Sequence, residues 1–332
     1  MTQTLKWINP LLLITALFSS YCRAQSFPAA SAPPPKFHSA LDQTPPSGTN
    51  SSPQIAFTFD DFPAHGPLPP GETRLGIINK IIAALQAGDV PPTYGFLNAK
   101  LLADLPADAS VLEAWRRAGF LLGNHAWSHM DLNKHSPAEF EADVERNESA
   151  LTKWMKDADW HWFRYPYLSE GDTAEKRQMI RDYLAKRGYK IATVTISFGD
   201  YQWTEPYARC MAEGDEGSLK ILKDGYIAAA DETAAYERKV SHALYGRDVP
   251  YVLLMHIGAA TADMLPRLIE LYRSRGFQFI SLEQAEKDEF YRSSMDPSLP
   301  PTPDSLEAMA KERNLTLPPR PTSTLPFATI CK

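Results

Sequence analysis

The chain has 332 residues, which is enough for one large domain or two of ordinary size. Hydrophobic residues make up 44% and aromatic residues 11%, so a sizeable core can form. The net charge of −6 argues against a nucleic-acid-binding protein and against a protein held on anionic lipid by charge. The 28 prolines are concentrated near the two ends, which leaves the middle free to form a regular fold.

The N-terminal residues have the pattern of an export signal. A lysine precedes an apolar run over residues 11–18, and Ala24 ends a small-x-small cleavage site. We therefore expect a signal peptide over residues 1–24, an exported (periplasmic or secreted) protein, and no stable membrane insertion after cleavage. One alternative is an uncleaved anchor, although the run is short for a transmembrane helix. Another is a lipid on Cys22, which the bulky Tyr21 before it disfavours.

Residues 25–53 are rich in Pro, Ser, Ala and Gly, and we expect a linker because such a segment buries little apolar surface. Beyond it, apolar segments of strand character alternate with segments of helical periodicity. Strands are predicted at 54–59, 92–98, 120–125, 161–166, 189–196, 251–256 and 277–282, and helices at 74–87, 110–119, from Ser136 onward, at 173–187, within 217–245 and at 263–276.

This alternation predicts parallel strands joined by crossover helices. About seven such units favour a closed or nearly closed β/α barrel over an open sheet. We expect one domain over residues 54–290 and a Pro-rich extension over residues 291–332. The extension contains one short amphipathic helix. It is either a disordered tail or a strap along the barrel held by Cys331.

Two cysteines, Cys210 and Cys331, remain after the expected cleavage. In an oxidising compartment they form a possible disulfide, although their distance in space does not follow from the sequence. A metal-binding role is disfavoured, because neither has a second Cys or a His at ligand spacing.

Polar residues follow the predicted strands at their carboxyl ends, where parallel β/α folds have their sites. They are Asp60 and Asp61 after the first strand, His125 and His129 after the third, Arg164 and Tyr167 after the fourth, Asp200 and Trp203 after the fifth, and His256 after the sixth. Because these strand ends meet at one rim, we expect the side chains to converge.

Two imidazoles and one carboxylate form a common ligand set for a divalent metal and leave a position open for water. His125, His129 and one of the two aspartates would supply it. The other aspartate, beside the positive ion, can stay ionised and act as a general base toward water. Arg164 would orient that base, and His256 would be a general acid for the leaving group. The set indicates a hydrolase for amides or esters.

Each motif has an ordinary structural explanation when taken alone. Paired aspartates after a strand commonly cap a turn or a helix, and a His-x-x-x-His pair occurs on solvated helix faces. A single histidine such as His256 is more often structural. Five strand ends that each carry a suitable residue favour the catalytic interpretation. His65, shortly after Asp61, is a candidate for substrate contact.

The order of these motifs resembles the polysaccharide deacetylases, that is, the NodB-homology domain of carbohydrate esterase family 4. The motifs are TFDD (58–61), HAWSH (125–129), RYPY (164–167), DYQW (200–203) and LMH (254–256), and the resemblance extends from about Pro53 to Glu289. It implies a distorted (β/α)7 barrel and one divalent ion. Zinc is the expected ion, and cobalt, nickel and manganese suit the same ligands.

The resemblance also implies a role for each site residue. In that assignment Asp61, His125 and His129 bind the metal, Asp60 is the general base steadied by Arg164, the backbone amide of Tyr167 polarises the acetyl carbonyl, His256 is the general acid, and Trp203, Leu254 and Asp200 belong to the substrate pocket.

Three positions depart from the usual pattern of the family. Phe62 stands where a Gly follows the aspartate pair, which predicts a different loop or groove floor. Ala126 replaces a Ser or Thr, so a hydroxyl that braces the loop is missing unless Ser128 replaces it. Gln202 stands where the family has an Asp, with Asp200 two residues earlier, which leaves open which group tunes the acid histidine. None of these changes removes a metal ligand, the base or the acid, so we expect an active enzyme.

The leading hypothesis is a metal-dependent hydrolase that removes acetyl groups, above all from N-acetylglucosamine units, from an extracytoplasmic polysaccharide or oligosaccharide. An acetylated glycan is then the expected partner, no nucleic-acid partner is expected, and the sequence identifies no protein partner. The alternatives are a xylan-type O-acetyl esterase, a hydrolase of small amides or imides on the same barrel, and a non-catalytic glycan-binding module. The export signal disfavours the amide hydrolase, and the binding module would not depend on metal.

Overall fold

The structure is a computed structural model that describes residues 52–156, 158–303 and 305–332. The expected signal peptide (1–24) and nearly all of the expected linker (25–53) therefore lie outside the described residues.

Strands and helices alternate along the described chain as the sequence predicted. The strands are β1 (Gln54–Phe62), β2 (Tyr94–Leu97), β3 (Leu121–Asn124), β4 (Trp162–Phe163), β5 (Lys190–Ile191), β6 (Tyr251–His256) and β7 (Gln278–Phe279). The helices are α1 (Arg74–Ala87), α2 (Lys100–Asp104), α3 (Ala109–Arg117), α4 (Pro137–Met155), α5 (Ala174–Lys186), α6 (Thr204–Glu213), α7 (Glu216–Tyr245), α8 (Ala259–Ser274), α9 (Leu282–Ala285), α10 (Arg292–Met295) and α11 (Leu306–Glu312).

The strands form one parallel sheet in the order β5-β4-β3-β2-β1-β6, and β7 pairs with the start of β1. The sheet curls into a half-barrel surrounded by helices, which confirms the predicted distorted β/α barrel. Between β5 and β6 the described chain has only an isolated bridge, from Ile196 to Leu253. The central strand β1 is buried on both faces from Ile55 to Asp60, as expected for a parallel strand covered by helices.

Local sequence signals explain where the long helices begin and end. Ser136 and Glu139 form a reciprocal capping box at the start of α4, and Pro137 occupies the first turn. The region predicted to hold helices within 217–245 is the single helix α7. Its N-cap is Asp215, whose side chain accepts a hydrogen bond from the backbone N–H of Ser218, and its C-cap is Gly246, whose φ is 67°.

Strand β5 is much shorter than the predicted 189–196, and a side chain explains the difference. The backbone N–H of Thr193 donates to the Oε1 of Glu286 at 3.0 Å rather than to a neighbouring strand. Thr195 and Ile196 then both donate to the carbonyl of Val252. The chain thus leaves the sheet at Ala192 and returns only for the bridge to β6.

The C-terminal extension packs on the barrel. Arg181 of α5 donates to the carbonyls of Ser293 and Asp296. The last segment, residues 313–332, is called the C-terminal strap below, and a disulfide joins its Cys331 to Cys210 of α6, with Cα atoms 5.0 Å apart. Of the two alternatives for this extension, the structure has the strap. Among the described residues no helix is long and apolar enough to cross a membrane.

Candidate metal and catalytic site

Asp60 and Asp61 lie at the carboxyl end of β1, and both contribute to one cavity of about 340 Å³. Consecutive residues of a regular strand face opposite sides. Here the pairing register of β1 shifts between Phe59 and Phe62, and Asp61 adopts a left-handed φ of 63°. This irregularity lets both carboxylates face the cavity.

Three donor atoms converge beside the two aspartates. Oδ1 of Asp61 lies 3.3 Å from Nε2 of His129 and 3.6 Å from Nε2 of His125. In the described part of the chain this Asp61 oxygen is buried and has no hydrogen-bond partner. Nδ1 of His125 lies 2.7 Å from the carbonyl oxygen of Arg164, which only accepts, so the proton is on Nδ1 and the lone pair of Nε2 faces the cluster. The three residues therefore fit a divalent cation.

The protonation states suit metal binding. Burial, followed by the charge of His125, lowers the pKa of His129 to about 4, so the ring is neutral at pH 7. Burial acts to raise the pKa of Asp61, but the hydrogen bond with His65 and the nearby histidines hold it well below its usual range. Nδ1 of His65 is 2.6 Å from Oδ2 of Asp61, so His65 orients the carboxylate whose other oxygen faces the cluster.

Asp60 is held by a buried arginine. Nη1 of Arg164 lies 3.2 Å from Oδ1 of Asp60, and both side chains are almost fully buried. The guanidinium is fixed from two other sides, because Nε donates to the carbonyl of Ala192 at 2.6 Å and Nη2 donates to Oγ1 of Thr58 at 3.2 Å. Asp60 thus has a fixed orientation beside the three-residue cluster, with Oδ2 3.7 Å from Nε2 of His125.

His256 ends β6 directly opposite Asp60 in the sheet register. Its Nδ1 lies 2.8 Å from Oδ1 of the fully buried Asp200. Burial acts to lower the pKa of His256, but the Asp200 carboxylate outweighs it and raises the pKa to about 9. The group that tunes this histidine is therefore Asp200, while Gln202 is exposed.

The loop that carries both histidines is braced by amide and carboxylate side chains. Nδ2 of Asn98 donates to the carbonyls of His125 and Ala126 at 2.5 and 2.9 Å. Oδ2 of Asp143 accepts from the backbone N–H of Ser128 at 3.0 Å. These bonds, with those of Asn124 and Asn147 around the same loop, take over the bracing that Ala126 cannot provide. The sequence analysis did not identify these bracing residues.

The cavity wall includes some of the predicted pocket residues and excludes others. Tyr167 and Leu254 contribute to it, and His65 and Tyr201 join them. Trp203 lies behind the wall, where it donates from Nε1 to the carbonyl of Leu222 and is almost fully buried. Asp200 also lies behind the wall. Both residues support the site from behind rather than line it.

Phe62 does not form the groove floor. It is fully buried, and its ring packs on Trp115 with centroids 4.8 Å apart. A Cβ at Gly95 would come within 2.2 Å of this ring, so the small residue on β2 leaves the space that the phenylalanine fills. The left-handed Asp61 just before it turns the phenylalanine into the core.

Comparison with known proteins relates this arrangement to a family. The polysaccharide deacetylase family model matches residues 47–192. A chitin deacetylase of Arthroderma benhamiae is 26% identical over 203 residues, which are 60% of this chain and 46% of that protein. A chitin deacetylase of Colletotrichum lindemuthianum is 22% identical over 241 residues, which are 70% of this chain and 79% of that protein. The chain thus spans about half the length of the first relative and most of the second.

A solved structure agrees with the fold. It is that of a mutant of a carbohydrate esterase family 4 pseudoenzyme whose wild-type form comes from Bacillus anthracis. It is 14% identical, has a TM-score of 0.50, and the match covers 72% of this chain and 68% of that one. At this identity the likeness concerns the fold alone. The match to the polysaccharide deacetylase family model covers residues 47–192, the part of the chain that carries the motifs from Asp60 to Tyr167.

Proposed function

We propose that this protein is a metal-dependent hydrolase that removes acetyl groups, in particular the N-acetyl groups of N-acetylglucosamine units, from an extracytoplasmic polysaccharide or oligosaccharide. One observation carries the proposal. A single cavity brings together a cluster that fits a cation, an aspartate fixed by an arginine, and a histidine fixed by a second aspartate. Amide hydrolysis needs these three elements, namely an electrophile, a base and an acid.

Asp61, His125 and His129 would hold the ion, and zinc suits two imidazoles and one carboxylate, as do cobalt, nickel and manganese. When bound, such an ion would act as a Lewis acid and would lower the pKa of water, so that the water can lose a proton and attack a carbonyl near neutral pH.

Asp60 would take the proton of the attacking water on its carboxylate. Arg164 supports this role because it fixes the carboxylate without protonating it, and the two are buried together. If the ion pair of Asp60 and Arg164 had only a structural role, the aspartate would not need to face the cavity.

His256 would donate a proton from Nε2 to the leaving nitrogen. The Asp200 carboxylate accepts a hydrogen bond from Nδ1–H, so Nε2–H remains free to donate. A pKa of about 9 keeps the ring protonated at neutral pH, as a general acid requires. The backbone N–H of Tyr167 would stabilise the developing oxyanion, and Leu254 would contact the acetyl methyl group.

Export is the second part of the proposal. The disulfide between Cys210 and Cys331 supports an oxidising compartment, where such bonds persist. We infer a signal peptide over residues 1–24, a linker over 25–53, a deacetylase domain over 54–290 and an extension over 291–332 that packs on it.

Acetate release from a panel of substrates tests the function. The panel contains N-acetylglucosamine oligomers, acetylated xylan and a small amide, each with chelator and with added zinc. We expect zinc-dependent release from the N-acetylated oligomers. Release from xylan alone or from the small amide alone would instead support one of those activities, and no release from any substrate would favour a glycan-binding module.

A further inference from the structure

We propose that the C-terminal strap (residues 313–332) builds a binding site for a second sugar unit of the substrate chain, directly beside the catalytic cavity. The site is a separate cavity of about 320 Å³, which lies in the range of small-molecule sites. The inference rests on the proposed function, because it assumes that a glycan enters the catalytic cavity.

The two cavities adjoin. Ser197 and Tyr201 contribute to the walls of both. Tyr201 also lies against the acid histidine, with its ring centroid 5.5 Å from that of His256. A chain held at the catalytic cavity therefore has a direct continuation across Tyr201 into the second cavity.

One wall of the second cavity belongs to the barrel and the other to the strap. The barrel side consists of residues from the segment 197–202 and from helix α7, and the strap side consists of residues 320–323. The site therefore exists only while the strap is in position.

The strap is fixed at both ends of this wall. Beyond the cavity, the disulfide of Cys331 and a ring contact between Phe327 and Trp203, with centroids 4.6 Å apart, attach it to α6 and its N-terminal turn. Leu325 fills the space over Gly225 of α7, where a Cβ would come within 2.6 Å of it. At the other end of the strap wall, Nη2 of Arg320 donates to the carbonyl of Ser197 at 2.9 Å. The strap side of the cavity is therefore anchored to the barrel at both of its ends.

The chemistry of the walls suits a neutral sugar. Tyr201 is 50% exposed and offers a flat aromatic face for the C–H face of a pyranose ring. Gln202, Thr322 and Ser323 can donate to and accept from sugar hydroxyls. Arg320 is paired with Glu307 and lies 3.4 Å from Glu237, so it adds hydrogen-bond donors without making the site one for anions.

The test compares oligomers of two lengths. The substrates are the dimer and the tetramer of N-acetylglucosamine, and the readout is the ratio of kcat/KM for the tetramer to kcat/KM for the dimer. Thr322→Trp fills the cavity from the strap side. Thr324→Trp is the matched control, because Thr324 is exposed on the same strap and does not contribute to this cavity. We expect a wild-type ratio well above one, a fall of about tenfold in Thr322→Trp, and a wild-type ratio in Thr324→Trp.

Equal kcat/KM values for dimer and tetramer in the wild type, or equal ratios in the two tryptophan variants, would overturn the second site while leaving the deacetylase function standing. If the zinc-loaded wild type releases no acetate from either oligomer, the proposed function fails. Calorimetric binding of the tetramer then tests the site alone. Binding that Thr322→Trp weakens about tenfold supports the site, and binding that is absent or unaffected by the substitution contradicts it.

Discussion

Asp200 binds His256 at two points. Its Oδ1 lies 2.8 Å from Nδ1 of the ring, and its Oδ2 accepts a hydrogen bond of 2.7 Å from the backbone N–H of the same residue. Thr261 donates a further hydrogen bond to Oδ2 at 3.3 Å. The carboxylate thus fixes both the position and the charge of the proposed acid.

Asp200→Asn should therefore change the pH dependence of the reaction. Without the carboxylate, the pKa of His256 should fall from about 9, because burial is then opposed only by the weaker effects of Asp61 and Asp60. The acid is active only when protonated, so the alkaline limb of the profile of kcat/KM against pH moves to lower pH. We also expect a loss of about 100-fold in kcat at pH 8. Gln202→Ala is the control and should keep the wild-type profile; an unshifted alkaline limb in Asp200→Asn would contradict the role of Asp200.

Phe62 should contribute to stability rather than to substrate binding. Phe62→Gly, which restores the residue usual in the family, removes a fully buried ring that packs on Trp115 and over Gly95. We expect the free energy of unfolding in a denaturant titration to fall by ~3–5 kcal/mol. Leu68→Ala, at an exposed position, should change it by less than ~0.5 kcal/mol. A Phe62→Gly variant of wild-type stability would show that the ring is not part of the core.

Glu237 should make stability depend on pH. Burial, followed by the nearby carboxylate of Glu307, raises the pKa of Glu237 from 4.5 to about 9. A raised folded-state pKa contributes stability that is fully present below about pH 4.5 and is lost as the pH rises through about 9. Thermal unfolding of the wild type should therefore shift to lower temperature across this window.

Glu237→Gln keeps the shape of the side chain and removes the titration. Its Tm should fall less than that of the wild type over the same pH window. The comparison of the two slopes is the measurement, because other groups titrate equally in both proteins. Parallel slopes would mean that Glu237 is ionised in the folded protein.

The disulfide should stabilise the whole domain. It joins residues 121 positions apart, and closing a loop of this size stabilises the folded protein by ~5 kcal/mol through the lost entropy of the unfolded chain. Reducing agent should lower the denaturation midpoint of the wild type and leave a Cys210→Ser/Cys331→Ser double variant unchanged. A wild-type midpoint that is insensitive to full reduction would contradict this contribution.

Some elements follow from the sequence because their causes are local. Strand β1 is a continuous apolar run, and helix α4 carries its own capping box. The early end of β5 depends instead on Glu286, which lies 93 residues beyond its partner Thr193. Nothing in the local pattern of the strand encodes that contact.

The residues of the site also fall into those that the sequence predicts and those that depend on distant contacts. Asp61, His125 and His129 lie in recognisable sequence motifs, and the structure brings them together as expected. Asn98 and Asp143 brace the histidine loop through contacts that no spacing rule predicts. Other side chains take directions that depend on backbone angles, which the sequence does not show. The left-handed Asp61 buries Phe62, and Trp203 packs under the strap rather than beside the substrate cavity.

The division of labour between the two adjacent aspartates is the central claim, and one paired measurement tests it. Asp60→Asn and Asp61→Ala are purified side by side, and zinc content and acetate release from the N-acetylglucosamine tetramer are measured on the same samples. We expect Asp60→Asn to bind zinc as the wild type does and to lose at least about 100-fold in kcat, and Asp61→Ala to lose the zinc. Wild-type turnover in Asp60→Asn, or full zinc content in Asp61→Ala, would contradict the assignment.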